Sequence, residues 1–212
     1  YNLNMNMNIA ILGANGYIGR NLVERILAET DHTIVALSPN VESMQLNHER
    51  LTKHNVDVFD IEKLQSYLKE CDSAFYLIHM MGLKKFDFAK AESKAANNFC
   101  VAAKNSNIKR LIYLGGLGND NEKLSKHLAS RHKTGQILMH NFPQVIEFRA
   151  SMVIGRGSIS YDIVTNLIHK LPILTLPKWA KTITQPIGLQ DAISYLVAAL
   201  EMESNEHQII EI

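Results

Sequence analysis

The sequence is poor in cysteine, in net charge and in long apolar runs, and each shortage excludes a class of protein. Two cysteines, Cys71 and Cys100, stand among 212 residues, neither with a C-x-x-C partner. That excludes a disulfide-stapled scaffold and predicts a reducing compartment. Lys and Arg number 22 against 21 Asp and Glu, a formal charge of +1. So small a surplus gives no basis for binding nucleic acid or an acidic membrane through bulk charge. No stretch approaches the ~18 apolar residues of a membrane span. The opening segment, Tyr1 to Asn8, alternates Asn and Met and lacks the basic and apolar regions of a secretory signal. The expectation is a soluble cytoplasmic protein whose partners include neither nucleic acid nor membrane. What remains is a chain 46% hydrophobic, enough to bury a full core.

Short apolar runs alternate with longer amphipathic stretches. Ile9-Ala10-Ile11-Leu12 stops at Gly13, as a buried parallel strand would. Tyr17 to Glu29 places Ile18, Leu22, Ile26 and Leu27 on one helical face. Thr33 to Leu37 reads as the second strand, ended by the turn signal Ser38-Pro39-Asn40. The polar stretch Val41 to Thr52 carries no clear pattern. Val56 to Phe59 reads as the third strand, Glu62 to Lys69 as a helix, and Ala74 to Ile78 as the fourth strand. A long helix is expected over Phe86 to Asn107. The fifth strand, Leu111 to Leu114, runs into Gly115-Gly116-Leu117-Gly118. Ser125 to His140 reads as a helix and Val145 to Phe148 as the sixth strand.

Strands spaced by helices call for right-handed crossovers and a mostly parallel sheet covered on both faces. The fold class is α/β, a Rossmann-type doubly wound parallel sheet. After Arg149 the rhythm changes: Pro172, Pro177 and Pro186 break any long element. Helical patterns remain at Asp162 to Lys170 and Asp191 to Glu201, and Gln208 to Ile212 reads as a strand. The expected division is a body over residues 1–150 and a small irregular C-terminal lobe over 151–212, within one structural domain.

Gly13-Ala14-Asn15-Gly16-Tyr17-Ile18-Gly19 follows the first strand and opens the first helix. Gly13 suits a tight turn with positive φ. Gly16 leaves no Cβ where a pyrophosphate approaches the backbone, and Gly19 lets helix and strand pack closely. The helix N-terminus offers free N–H groups and partial positive charge to the phosphates. A glycine triplet so placed points to a dinucleotide as the small-molecule partner. NAD sites usually present a carboxylate to the ribose about 20 residues further on, at the end of the second strand. Here Ala36-Leu37-Ser38-Pro39-Asn40 has none, and Glu42 is the first acid. That favours NADP and leaves NAD open. The nearest later cations are Arg50 and Lys53, while Ser38 and Asn40 offer hydrogen-bond donors.

The G-x-x-G-x-x-G spacing resembles that of extended and atypical short-chain dehydrogenases/reductases. Val56-Asp57-Val58-Phe59-Asp60 is similar to the family's segment after the third strand. Phe75-Tyr76-Leu77-Ile78-His79 resembles its fourth strand and Arg110-Leu111-Ile112-Tyr113-Leu114-Gly115-Gly116 its fifth. Gln185-Pro186-Ile187-Gly188-Leu189-Gln190-Asp191-Ala192 resembles its C-terminal signature. The nearest likeness is to the NmrA-like, NAD(P)H-binding branch. This resemblance implies a cofactor site built from Gly13, Asn15, Gly16, Tyr17, Ile18, Gly19 and Ser38. Asp57 and Val58 would lie at the adenine; Ile78, His79 and Met80 along the ribose and nicotinamide; and the backbone near Tyr113 and Leu114 at the nicotinamide pocket.

The family's redox chemistry rests on Ser and on Tyr and Lys spaced Y-x-x-x-K. By the same resemblance the Lys position falls on His132, the Tyr position on Leu128 and the Ser position on Gly115 or Gly116. No Tyr occurs between Ser125 and His140, and leucine cannot move a proton, so the catalytic residues are unknown. An imidazole can serve as acid or base, which makes His132 one substitute; the plainer alternative is a polar helix face or a hydrogen bond to a ribose. Tyr113 is another, against ordinary packing in a parallel strand. The basic start Ser125, Lys126, His127 and Ser130-Arg131-His132-Lys133 reads as a solvated face. His79, His127 and His132 lack the spacing of a metal site, and Cys100 reads as a buried small hydrophobe.

Two functions follow. One is an oxidoreductase acting on a small quinone- or carbonyl-type substrate without the usual Tyr/Lys pair. The other is a non-catalytic NADP(H)-sensing regulatory or scaffold protein. Arg149-Ala150-Ser151-Met152-Val153-Ile154-Gly155 resembles the family's substrate-side loop and favours the first. Related folds commonly dimerise through the helix corresponding to Phe86–Asn107, which leaves a homodimer open.

Overall fold

The computed structural model describes residues 6–80, 88–118, 124–158, 161–162, 165–166 and 184–212. β1 (Asn8–Leu12) leads into α1 (Tyr17–Glu29), β2 (Thr33–Ser38), a 3₁₀ turn at Val41–Ser43 and β3 (Leu51–Asn55). α2 (Ile61–Leu68), β4 (Ser73–Tyr76), α3 (Phe88–Ala103), β5 (Arg110–Gly116), α4 (Lys126–Asn141) and β6 (Gln144–Ala150) follow. Beyond them lie β7 (Met152–Ile154), β8 (Pro186–Gly188), α5 (Leu189–Ala198) and β9 (Gln208–Glu211). Among the described residues no helix is long and apolar enough to cross a membrane.

Seven of these strands form one sheet in the order β3-β2-β1-β4-β5-β6-β9, and every pairing is parallel. Side chains alternate between the two faces of each strand, and both faces are covered by helices. Ile9, Ile11, Phe75, Ile112 and Ile146 join Leu22 and Ile26 of α1 and Ile193 and Leu196 of α5 in one core. Ala10, Leu12, Tyr76, Leu111 and Tyr113 join Leu64 of α2, Phe99 of α3 and Leu138 of α4 in the other. This is why the central strands read as unbroken apolar runs. The chain winds outward from β1 in one direction to β3, then returns to its other side with β4. That reversal leaves a crevice beyond the C-terminal end of β1, where ligands of such sheets bind.

The third strand lies at Leu51–Asn55 rather than at Val56–Phe59. β3 is a sheet edge, and only Leu51 of its five residues is buried. Its polar side chains therefore cost little and erase the apolar signal that marks a central strand. Lys53 donates to the Met44 and Leu46 carbonyls, and the His54 ring stacks on Tyr67 at 4.0 Å. The apolar segment Val56–Phe59 instead forms a turn in which Asp57 accepts from the Phe59 N–H. Asp60 then caps α2 by accepting from the Lys63 N–H.

After Ala150 the chain builds the small β7–β8 ribbon and then returns to the main body. α5 packs beside α1, and β9 adds the last strand against β6. Pro172, Pro177 and most of the helical pattern from Asp162 to Lys170 lie outside the described residues, as does the beginning of the long helix expected from Phe86.

Arg110, at the start of β5, holds this return in place. Its guanidinium donates to the carbonyls of Ala199, Leu200 and Met202, just past α5, and to Gln144 Oε1 of β6. Arg110→Ala strips a charged donor from three carbonyls. It should destabilise the fold by about 2 kcal/mol and lower the thermal midpoint by roughly 4–8 °C, measured by calorimetry.

Candidate functional site

The floor of the crevice is the turn between β1 and α1. Gly13 adopts φ +82, and a Cβ there would lie 2.9 Å from the Leu77 carbonyl oxygen, so both conformation and space demand glycine. Gly16 caps the helix with φ −67 and ψ 167, without a side-chain cap, and the first turn of α1 carries no acid. Its amide donates to Gly13 O at 2.9 Å. A Cβ on Gly19 would stand 2.3 Å from Gly13 O, which is the close approach of helix to turn. The outcome is a helix N-terminus with amides left to an external anion.

The crevice has a volume of about 440 Å³. Gly13, Gly16, Tyr17, Ile18 and Gly19 line its floor, Ser38 and Pro39 the side after β2, and Asp57 and Val58 the side after β3. Leu77, Ile78, His79 and Met80, which follow β4, form the opposite wall. Three residues assigned to the site by resemblance stand apart from that wall. Asn15 instead ties the turn to the loop after β2, donating to Asn40 O at 2.8 Å and Ser43 Oγ at 2.7 Å. Leu114 is buried, its carbonyl taken by Arg131. His132 is 3% exposed and places Nε2 3.0 Å from Gly116 O.

The two substitute proton donors are both buried. His132 is buried rather than on a polar helix face, with its ring against the Gly116 carbonyl. Tyr113 is fully buried and donates its hydroxyl to Arg131 O at 2.9 Å. Burial pushes its phenol well above the ordinary range, despite the Arg131 guanidinium over its ring, so it releases no proton near neutral pH. The positions that resemble Ser and Tyr are filled by packing. A Cβ at Gly116 would stand 2.7 Å from Leu128 Cδ2, and one at Gly115 would stand 2.6 Å from Glu147 Oε1. Glu147 is itself paired with Arg149 at 3.0 Å.

The solvated face expected at the start of α4 is buried in its middle: Ser130, Arg131 and His132 are 3–8% exposed, while Lys126 and Lys133 remain outside. Arg131 donates to the carbonyls of Ile78 and Leu114 and so ties the ends of β4 and β5 together. Ser130 donates to Glu92 Oε2. Glu92 of α3, 3% exposed, also accepts from the Met80 N–H at 3.3 Å and lies 3.0 Å from His79 Nδ1. Burial alone would raise its pKa. Hydrogen bonds from His79 and Ser130, the Arg131 charge and the Met80 amide outweigh that and hold it at about 2, against an ordinary 4.5. His127 stands beside His79, ring centroids 5.0 Å apart, and burial lowers its pKa, aided by the neighbouring His79 and Arg131.

Sequence reading missed Glu92, although a signal was there. It lies three, four and seven residues before Ala95, Ala96 and Phe99, all fully buried, so it is an acid on the core face of a helix. Arg50 and Lys53 are spent elsewhere. Arg50 caps the end of α1 through Leu27 O, Thr30 O and His32 O, and Lys53 binds the loop before β3.

A family model described as NAD(P)H-binding matches residues 13–147. Cinnamoyl-CoA reductase 2 of Medicago truncatula is 24% identical over 118 residues, 52% of this chain and 35% of that protein. The auxiliary protein GraX of Staphylococcus aureus is 28% identical over 126 residues, 58% of this chain and 40% of that protein. The chain therefore matches less than half the length of either relative. Among solved structures, UDP-glucuronic acid 4-epimerase from Bacillus cereus in complex with NAD superposes with a TM-score of 0.79 at 19% identity, covering 97% of this chain and 78% of that one. The Bordetella bronchiseptica enzyme WbmF in complex with NAD+ gives 0.77 at 15% identity, covering 96% and 72%. These likenesses show the Rossmann fold.

Gly16→Val places a side chain over the turn at a φ any residue adopts. The variant should stay folded and lose the rise in melting temperature that a nicotinamide dinucleotide gives the parent protein; an undiminished rise removes the turn from the site. Glu92→Gln should cost on the order of 3 kcal/mol at pH 7. A carboxyl with a depressed folded pKa stabilises above its unfolded value and loses that contribution as pH falls through the folded one. The difference in urea midpoint between parent and variant should therefore shrink between pH 4.5 and about pH 2.

Proposed function

Because the chain belongs to the NAD(P)H-binding family, we propose that it is an NAD(P)(H)-dependent oxidoreductase of the atypical, NmrA-like short-chain dehydrogenase/reductase kind. Its substrate is a small quinone- or carbonyl-type compound. The observation that carries this reading is the uncapped N-terminus of α1 over the glycine turn, opening into the crevice where the sheet reverses. Amides of the turn and the first turn of α1 would hold the diphosphate. Asp57 and Val58 would border the adenine, and Ile78, His79 and Met80 the nicotinamide end. When bound, the reduced coenzyme supplies a hydride. The protein's share is to orient the acceptor and exclude water, and a quinone asks less of a protein acid than an unactivated ketone does.

NADP is the proposed coenzyme. The end of β2 offers Ser38 and no carboxylate to repel a 2′-phosphate. On that side Arg20 of α1 is exposed and lines, with Glu24, Ser43 and Gln45, a hollow next to the loop that Asn15 ties down; the Arg20 guanidinium is the group there that would meet a 2′-phosphate.

A second reading, a coenzyme-occupancy sensor without turnover, is favoured by the packing of Leu128 against Gly116 and the burial of Tyr113. NADPH oxidation assayed with a panel of quinones and aldehydes separates the two.

NADPH should raise the melting temperature more than NADH at equal concentration. Ligand at 100 times its Kd contributes about 2.7 kcal/mol to native stability, roughly 5–11 °C for a chain of this size. Equal shifts, or a larger one with NADH, overturn the coenzyme preference.

A further inference from the structure

We propose that His79 is the acid–base group of the crevice and that Glu92 is the residue that positions it, an inference that rests on the oxidoreductase reading. Hydride delivered to a carbonyl or quinone leaves negative charge on oxygen, and a proton must meet it. Leu128 carries no proton, and Tyr113 and His132 are buried and do not line the crevice. Among the described residues that border the crevice after β4, His79 is the one with a titratable ring.

Its geometry is that of an oriented base. The side chain is 39% exposed while its partner Glu92 is 3% exposed, so the pair spans from the wall of the crevice into the core. Glu92 is fixed from three directions: His79 Nδ1 and the Met80 amide meet Oε1, and the Ser130 hydroxyl meets Oε2. An ionised carboxylate only accepts hydrogen bonds, so Nδ1 carries the hydrogen. In the neutral ring Nε2 is then the bare nitrogen, free of the tautomeric ambiguity of an isolated histidine. A carboxylate that holds an imidazole in one tautomer is the arrangement that makes histidine an efficient proton carrier. His127 of α4 also faces this ring, and the Arg131 charge, likewise on α4, acts on both His127 and Glu92.

The proton balance closes on this one residue. In the reducing direction the imidazolium releases its Nε2 proton to the substrate oxygen while the coenzyme, giving up a hydride, is oxidised. His79 returns to its neutral Nδ1–H form and is reprotonated from solvent. In the oxidising direction Nε2 takes the hydroxyl proton as the hydride leaves for the coenzyme.

The test uses the whole chain and two variants, His79→Gln and Glu92→Gln, with three readouts. These are NADPH binding by calorimetry, NADPH oxidation with the acceptor panel from pH 5 to 9, and ¹⁵N chemical shifts of the His79 ring. Expected are an Nδ1–H tautomer in the parent and a mixture in Glu92→Gln. NADPH affinity should stay within about threefold in His79→Gln, with turnover down about 100-fold and the fall in turnover with rising pH gone. Glu92→Gln should lose less turnover than His79→Gln.

Turnover unchanged in His79→Gln overturns the proposal. So does an Nε2–H tautomer in the parent, or a parallel loss of affinity and turnover, which assigns His79 to holding the ribose. A parent that binds NADPH and reduces no acceptor overturns it too, in favour of the sensor. A parent that fails to bind NADPH overturns the oxidoreductase reading itself, and that result is visible before any variant is made. Should Glu92→Gln fail to fold, the half-exposed His79→Gln still decides.

Discussion

The site depends on one close contact, the approach of the Gly13 backbone to the Leu77 carbonyl. A side chain at Gly13 would press on that carbonyl and would also have to adopt a left-handed backbone. The approach sets how tightly the turn after β1 can lie against the chain leaving β4. Gly19 then brings the helix down onto the same turn, so β1, β4 and α1 meet at a point with no side chains between them. An uncapped helix end is thereby left at the mouth of the sheet's reversal, where its amides face a crevice rather than solvent. The first amides of a helix have no partner within it, and an end left without a side-chain cap is the setting in which such amides meet an anion.

Around that fixed point the charges are arranged in two tiers. In the core, Arg131 and Glu92 join the ends of β4 and β5 to α3 and α4. Farther along the sheet Glu147 and Arg149 form a second buried pair behind the glycines of β5. Buried pairs of this kind contribute little net stability. They do impose geometry: the β4 end, with His79, is held at three places by groups that cannot exchange partners without leaving a charge unpaired.

Much of this was legible in the chain itself. The glycine spacing, the apolar strands and the amphipathic helices follow from steric and burial rules that act over a few residues. Central strands such as Ile9–Leu12 were plain because both their faces are covered. β3 was not, because at a sheet edge Thr52, Lys53 and His54 need no apolar partners. The Glu92 cluster was illegible for a different reason. Its members come from residues 79, 80, 92, 130 and 131, which only the crossovers of the fold bring together. Ser130 and Arg131 looked like surface because nothing local reveals that α4 turns them inward. Even so, the acid on the Ala95–Phe99 face of α3 was a warning that something buried had to meet it.

The glycines that end β5 show how little separates this packing from a polar one. A side-chain atom at Gly115 would meet Glu147 Oε1, and one at Gly116 would meet Leu128 Cδ2. Both obstacles are the far ends of flexible side chains rather than backbone. A serine at Gly116 would fit once the leucine turns aside, whereas one at Gly115 must displace a carboxylate already bonded to Arg149. Of the two glycines, the outer one is where this strand end can take up a hydroxyl with the least rearrangement.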